Sequence, residues 1–179
     1  MGIIFTETKL KGAFIVDPQK FEDARGFLSR SFSAKEFEER GLNPRIAECN
    51  ISFSKKRYTI RGMHFQKPPY EQAKLVRCTK GSVYDVIIDL RPQSPTFKQW
   101  IGEELTAENR RMLYVPEGFA HGFQTLEDDT EVFYQISNIY NPGSEGGVRW
   151  NDPVFGIEWR ATDGVTINER DQNYPDFKF

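Results

Sequence analysis

Short runs of apolar, aromatic and β-branched residues follow one another along most of the chain, separated by Gly, Pro, Asn or Asp. The segment 82–91, "SVYDVIIDLR", alternates most regularly, and Asp85 and Asp89 share the face that also carries valine and isoleucine. Alternation with a period of two predicts a β-strand, because successive side chains point to opposite faces of a sheet. Two carboxylates on this face indicate either a polar cavity inside a barrel or a half-exposed strand, and the strand alone favours neither.

Nine such runs predict strands, and the turn residues between them are closely spaced. This spacing favours an all-β sandwich or barrel over alternating strands and helices. The runs cover residues 12–18, 26–32, 47–53, 57–65, 74–79, 81–92, 98–105, 111–118 and 130–142.

Few helices are expected beside these strands. One is predicted after Ser33, because Glu36 lies three residues on, as in a capping box, and Gly41 follows as a stop signal. The tail from about residue 160 lacks regular periodicity. Its apolar side chains nevertheless give it a means to dock, and they are Ile167, Tyr174, Phe177 and Phe179.

Composition limits the classes of protein that the chain can represent. Its 179 residues, 38% of them hydrophobic and 28% charged, are expected to form one domain over residues 1–179. A net charge of −2 offers no basic surface to nucleic acid, and no apolar run approaches the roughly 20 residues that cross a membrane. The N-terminus lacks a signal-peptide pattern, and Cys49 and Cys78 are expected to be buried free thiols. We therefore expect a cytoplasmic protein.

The chain has two histidines. His121 lies in "VPEGFAHGF", which resembles the second motif of the cupin superfamily and implies a double-stranded β-helix, or jelly roll. His64, in "RGMHFQ", lacks the His-x-His partner that metal-binding cupins normally have. Two histidines are too few for a metal site that is built on several imidazoles. A site made mainly of carboxylates would select metals poorly, so we expect no metal.

His64 is interpreted either as a structural imidazole in the core or as a base. Polar residues predicted near it favour the base, and Gly62 permits a bulge that would turn Arg61 and His64 toward one cavity. A base, a cation and a phenol that converge in a jelly roll are suited to proton transfer next to a carbonyl group. The predicted neighbours are Arg61, Lys74, Tyr134 and Tyr140, the two tyrosines sharing a strand face by their even spacing.

A series of motifs in order makes the resemblance specific. From about residue 13 to 176 the chain resembles the dTDP-4-dehydrorhamnose 3,5-epimerase family of cupin-fold enzymes. The motifs are "DARGFL", "RGMHFQ", "KLVRCTKGSVYDVIIDLR", "SPTFKQW", "LTAENRRMLYVPEGFAHGFQTL", "FYQISNIYNPGSEGGVRWNDP" and "GIEW".

This resemblance implies an epimerase that acts on a nucleoside-diphosphate 4-keto-6-deoxyhexose without cofactor or metal. By similarity His64 is the base and Asp171 the carboxylate that orients it. Lys74 stabilises the enolate and Tyr134 donates a proton on the opposite face of the sugar. Further substrate contacts implied by the resemblance are Arg25, Phe27, Asn50, Arg61, His121 and Tyr140, with Arg25 and Arg61 at the diphosphate.

Two residues at the nucleotide end depart from the family pattern. Arg30 stands where the family usually has glutamate, and Glu48 where it usually has glutamine. Because thymine N3 donates a hydrogen bond and cytosine N3 accepts one, an arginine at position 30 suits CDP better than dTDP. The alternative is that Arg30 and Glu48 simply pair with each other.

Three other functions stay open at this point. They are a CDP-linked 3- or 5-epimerase, a 3,4-ketoisomerase on the same scaffold, and a non-catalytic cupin that binds sugar nucleotides. The number of carbons inverted is also undecided, because one base and one acid serve both. The resemblance further implies a homodimer in which N-terminal strands cross over and complete the partner's site.

Overall fold

The computed structural model describes residues 2–178, which form two large antiparallel sheets and one hairpin. The six-stranded sheet has the order β1-β2-β10-β7-β12-β5, the five-stranded sheet the order β13-β6-β11-β8-β9, and β3 and β4 pair alone. The strands are β1 Ile3–Glu7, β2 Phe14–Pro18, β3 Lys20–Asp23, β4 Gly26–Ser29, β5 Glu48–Ser54, β6 Ile60–Gln66, β7 Lys74–Lys80, β8 Ser82–Asp89, β9 Trp100–Thr106, β10 Met112–Val115, β11 Phe119–Thr125, β12 Thr130–Ile136 and β13 Glu145–Gly147.

Side chains from both large sheets meet in one hydrophobic core. Val76 and Val132 from the six-stranded sheet pack with Ile87, Leu105 and Phe123 from the five-stranded sheet. Each side chain is almost fully buried, and burial of a side chain of this size contributes about 1.5–3 kcal/mol. The predicted all-β fold is confirmed, and each of the nine predicted runs contains a strand.

Strand β8 is buried along its whole length, so the half-exposed strand is the wrong interpretation of its pattern. Its second face packs under the C-terminal part of the chain, where Val86 and Ile88 join a cluster with Trp159 and Phe177. The two carboxylates have separate environments. Asp85 contacts His121, whereas Asp89 at the strand end accepts hydrogen bonds from Arg91, Ser94 and Thr96.

Among the predicted strands, the run 130–142 extends furthest beyond the strand that is observed. Strand β12 ends at Ile136, and the chain then turns into a 3₁₀ helix, Pro142–Ser144. Tyr140 lies on the intervening loop, so the prediction that Tyr134 and Tyr140 share a strand face is wrong. The loop is held by Gln66, whose side-chain amide donates to the Ile139 carbonyl and accepts from the Asn141 N–H.

The predicted helix is shorter than its sequence pattern. Helix α1 covers Ala34–Glu38, and the Ser33 hydroxyl accepts from the Glu36 N–H at 3.4 Å. Only half of the capping box forms, because the Glu36 carboxylate accepts from the Ile3 N–H instead of returning to Ser33. Gly41, with a φ of +69°, ends the turn as expected.

The C-terminal tail docks by its aromatic residues, as predicted. It contains the short helix α2, Glu169–Gln172, and Ile167 and Phe177 pack on the cluster under β8. Phe179 lies outside the described residues. In the part of the chain that the structure describes, no helix has the length and apolarity needed to cross a membrane.

The two cysteines differ in exposure. Cys78 is buried, but Cys49 is exposed, so the prediction of two buried thiols is wrong for Cys49. Its position on β5 explains this, because its neighbours Glu48 and Asn50 point into a cavity and an alternating strand turns Cys49 to the other side.

Candidate active site

A cavity of about 610 Å³ opens between the two large sheets. Nine of the twelve predicted site residues line it, which shows that distant parts of the sequence converge as expected. Those nine are Glu48, Asn50, Arg61, His64, Lys74, His121, Tyr134, Tyr140 and Asp171.

His64 and Asp171 form a hydrogen-bonded pair in this cavity. Asp171 Oδ1 lies 2.8 Å from His64 Nε2, and Oδ2 accepts from the Gly62 N–H at 3.0 Å. Burial raises the pKa of the Asp171 carboxyl, but the His64 hydrogen bond and charge, with Gly62 and Arg170, outweigh burial and lower it. An ionised carboxylate at Nε2 favours a proton on that nitrogen and leaves Nδ1 free to accept one.

Local backbone geometry places Arg61 and His64 at the same cavity. Gly62 has a φ of +123°, and a Cβ there would lie 2.5 Å from the Gly122 Cα. The ladder between β6 and β11 shifts register between His121 and Phe123, which is the predicted irregularity. Arg61 is fixed in turn, because its guanidinium donates to the Ser54 hydroxyl and to the Phe53 carbonyl.

Lys74 opens strand β7 on the sheet opposite His64. Burial lowers the pKa of its ammonium group to about 8, and the charges of Asp85 and Glu145 limit the decrease. A cation that is poorly hydrated interacts strongly with any negative charge that forms beside it. Lys74 is therefore suited to stabilise a developing oxyanion.

Tyr134 lies on β12 of the same sheet as Lys74, directly across from Asn50 on β5. Burial raises the pKa of its phenol; Arg61 acts in the opposite direction and Glu48 in the same one. The phenol consequently keeps its proton at neutral pH and can donate it.

His121 forms a second histidine–carboxylate pair. Its Nε2 lies 2.8 Å from Asp85 Oδ1, and His121 stands directly opposite His64 in the ladder between β11 and β6. Asp85 is fully buried, and its Oδ2 has no hydrogen-bond partner within residues 2–178. The sequence pattern singled out Asp85 but did not predict its pairing, which depends on the alignment of two separate strands.

Two charged residues of the cavity were missed by the sequence analysis. Glu145 accepts a hydrogen bond from the Tyr140 hydroxyl at 2.8 Å and forms an ion pair with Arg170 at 2.9 Å. Arg170 Nη2 lies 3.3 Å from His64 Nε2. Glu145 follows an irregular glycine-rich stretch that gives no periodic signal, while Arg170 could have been suspected from its position beside Asp171.

Three predicted residues do not reach the cavity of their own chain. Arg25 and Phe27 lie on the exposed β3–β4 hairpin, where Arg25 pairs with Asp23 at 2.6 Å. Arg30 forms an ion pair with Glu36 at 3.1 Å. Glu48 accepts from the Tyr140 N–H at 3.3 Å.

Comparison with known proteins bears on the whole chain. The model of the family described as dTDP-4-dehydrorhamnose 3,5-epimerase matches residues 7–178. The chain belongs to this family. The predicted resemblance, the jelly-roll fold and the assignment to the isomerases are thereby confirmed.

Individual members of the epimerase family are similar over almost their full length. The dTDP-4-dehydrorhamnose 3,5-epimerase of Salmonella typhimurium is 44% identical over 174 residues, which are 97% of this chain and 94% of the relative. The crystal structure of the Elizabethkingia anophelis enzyme has a TM-score of 0.95 at 43% identity and covers 98% of this chain and 96% of its own. The Bacillus anthracis enzyme, solved with TDP and PPi bound, has a TM-score of 0.93 at 41% identity and covers 98% and 100%. These comparisons do not favour the CDP-linked, ketoisomerase or non-catalytic alternatives.

Proposed function

We propose that the protein inverts C3 and C5 of dTDP-4-dehydro-6-deoxyglucose to give dTDP-4-dehydrorhamnose. One observation carries the proposal. His64, paired with Asp171 of α2, and the phenol of Tyr134 project from opposite sheets into one cavity, which Lys74 also lines. A base and an acid on opposite walls are what inversion at carbon requires, whereas simple binding requires neither.

The C4 ketone makes the reaction accessible, because a carbanion at C3 or C5 delocalises onto the carbonyl oxygen. His64 Nδ1 removes the proton while Asp171 stabilises the imidazolium that forms. Lys74 neutralises the enolate oxygen, an interaction that is stronger in the transition state than in the ground state. Tyr134 then donates a proton to the opposite face of the carbon, and the ketone is restored.

We assign dTDP as the nucleotide. Glu48 lines the cavity, and its carboxylate is an acceptor that suits the N3–H donor of thymine better than the N3 acceptor of cytosine. Arg61, already oriented by two hydrogen bonds, offers a guanidinium for the diphosphate. The ion pair with Glu36 satisfies part of the Arg30 guanidinium that suggested CDP.

The proposal includes a homodimer in the cytoplasm. The β3–β4 hairpin exposes Phe27 and Leu28, and the edge strand β5, which forms one wall of the cavity, exposes Ile51 and Phe53. A second subunit that covered these apolar side chains would bring its own Arg25 and Phe27 to the cavity. Free thiols at Cys49 and Cys78 suit a reducing compartment.

Deuterium exchange tests the reaction. The protein is incubated with dTDP-4-keto-6-deoxyglucose in D₂O, and deuterium at C3 and C5 is followed by NMR. Exchange at both carbons with inversion is expected, and exchange at a single carbon would indicate a mono-epimerase. No exchange would contradict the enzymatic function, and persistent exchange in His64→Ala would contradict the role of His64.

Subunit mixing tests the shared site. His64→Ala and Arg25→Ala are each expected to be inactive, and unfolding and refolding them together should restore about a quarter of wild-type activity. Half of the dimers would then be mixed, each with one intact site of two. An unrestored mixture, with dimers shown by light scattering, would contradict the contribution of Arg25 from the partner.

A further inference from the structure

Strand β13 has a residue without a side chain, Gly147, directly beside the proposed base. Gly147 is the cross-strand partner of His64 in the ladder between β13 and β6. A Cβ at Gly147 would collide with the ring of Tyr174, which occupies the space where a side chain would stand. The glycine therefore makes room for a ring that the C-terminal tail brings in.

The ring of Tyr174 also contacts the imidazole itself. The two ring centroids are 6.3 Å apart at an interplanar angle of 71°, an edge-to-face arrangement. Aromatic rings attract each other in this arrangement, which favours one relative orientation of the two rings. Burial raises the pKa of the Tyr174 phenol, so this ring stays neutral at neutral pH.

The tail holds Tyr174 from both sides. Before it, Asp171 is anchored to the Gly62 N–H and to His64. After it, the Phe177 N–H donates to Asp152 Oδ2 at 2.6 Å, and the Phe177 ring packs on Phe155 at 5.2 Å. The position of Tyr174 is thus determined by contacts on either side of it along the chain, and not by its contact with His64 alone.

We propose that Tyr174 is a positioning residue for the epimerisation, and that Gly147 provides the space for it. Asp171 holds the Nε2 atom of His64, and Arg170 lies beside the same atom. Contacts at one nitrogen still leave the imidazole ring free to tilt about that nitrogen. Tyr174 blocks the tilt from the side and keeps Nδ1 directed at the sugar carbon. This inference rests on the proposed function, in which His64 is the base.

Four variants of the full-length enzyme test the inference. In Tyr174→Ala we expect kcat to fall about 10- to 100-fold with little change in KM, because a small misplacement of a reacting group is costly. Tyr174→Phe keeps the ring and should retain most of kcat. Trp100→Ala removes an aromatic ring from the edge strand β9, outside the cavity, and it should retain kcat even if its melting temperature falls. Tyr174→Leu fills the same space without a flat ring. It is used if Tyr174→Ala does not fold, and its kcat should fall by a similar factor.

NMR of the imidazoles supplies a readout that a purely structural role would not change. The chain has only two histidines, so ¹⁵N-labelled histidine gives two sets of ring signals, and His121→Asn assigns them. In the wild type, His64 should be protonated at Nε2. In Tyr174→Ala the His64 signals should broaden or double while those of His121 stay unchanged.

Some results would overturn the inference. They are a kcat of Tyr174→Ala within twofold of wild type, equal losses in Tyr174→Phe or Trp100→Ala, or unaltered His64 signals. Loss of exchange in His64→Asn is measured alongside. If His64→Asn stays active, His64 is not the catalytic base and the proposed function is contradicted. If His64→Asn is inactive while Tyr174→Ala has normal kcat, only the positioning role of Tyr174 is contradicted.

Discussion

Asp171 divides its two carboxylate oxygens between His64 Nε2, at 2.8 Å, and the Gly62 N–H, at 3.0 Å. The same carboxylate thus orients the imidazole and fixes the backbone two residues before it. Because Asp171 is completely buried, water cannot replace either hydrogen bond. The catalytic pair and the local fold of β6 depend on one side chain.

Replacement of Asp171 by asparagine should lower kcat by about 10²–10⁴-fold. The amide keeps the shape but not the charge, and it can present an N–H donor that favours the wrong tautomer of His64. Steady-state kinetics measure the effect. Asp176→Asn is the matched control, since this tail carboxylate pairs with Arg149 outside the cavity and should leave kcat unchanged. Near-normal activity of Asp171→Asn would contradict the proposed pair.

Replacement of Tyr134 by phenylalanine should separate exchange from inversion. His64 can still remove a proton and return a deuteron to the same face, but no acid is present on the other wall. We expect deuterium incorporation in D₂O with inversion reduced by about 10²–10⁴-fold. Tyr114→Phe, a buried tyrosine outside the cavity that bonds to the Asn43 N–H, should behave as wild type. Full inversion in Tyr134→Phe would require another acid.

The activity should fall as pH rises through about 8, because Lys74 loses its proton there and no longer neutralises the enolate. The charge of Asp85 raises the pKa of Lys74, so Asp85→Asn should move this decrease in kcat/KM to lower pH. Glu104→Gln on the exposed side of β9 is the control, with no change expected. An unchanged profile in Asp85→Asn would show that Lys74 does not set the alkaline limit.

Replacement of Lys74 by methionine should abolish activity and yet stabilise the fold. The pKa of Lys74 is about 8 in the folded state and near 10.5 when unfolded, so folding disfavours its charged form. Below pH 8 the full cost is present, and Lys74→Met should raise the free energy of unfolding by about 1–3 kcal/mol.

The gain should diminish between pH 8 and 10.5, because there the unfolded chain binds the proton that the folded chain has lost. Urea denaturation at several pH values measures this trend. The exposed Lys35→Met serves as the control. A loss of stability in Lys74→Met would show that the ammonium group is well compensated in the cavity.

Isothermal titration calorimetry should show dTDP binding about tenfold or more tightly than CDP, a difference of about 1.4 kcal/mol. The carboxylate of Glu48 accepts from thymine N3–H and repels the acceptor of cytosine. In Glu48→Ala the two affinities should approach each other. Tighter binding of CDP by the wild type would restore the alternative suggested by Arg30.

The sequence by itself determined the all-β class, nine of the thirteen described strands and the family. Alternation in segments such as 82–91 predicts a strand, because successive side chains point to opposite faces, and the motifs from "DARGFL" to "GIEW" stand in a specific order. It also supplied nine of the residues that line the cavity. By contrast, it placed Tyr140 on a strand, because a pattern of apolar residues does not show where hydrogen bonds from Gln66 turn the chain into a loop.

The family resemblance implied the His64–Asp171 pair, but only the tertiary structure decided which other residues pair. Asp85 meets His121, and Glu145 meets Arg170, because strands and tail segments far apart in sequence are brought into register. Tyr174 reaches His64 because Gly147 stands opposite it in a ladder that no local pattern predicts. Local sequence encodes periodicity and turns, whereas the protonation and orientation of a base depend on side chains that only the folded chain assembles.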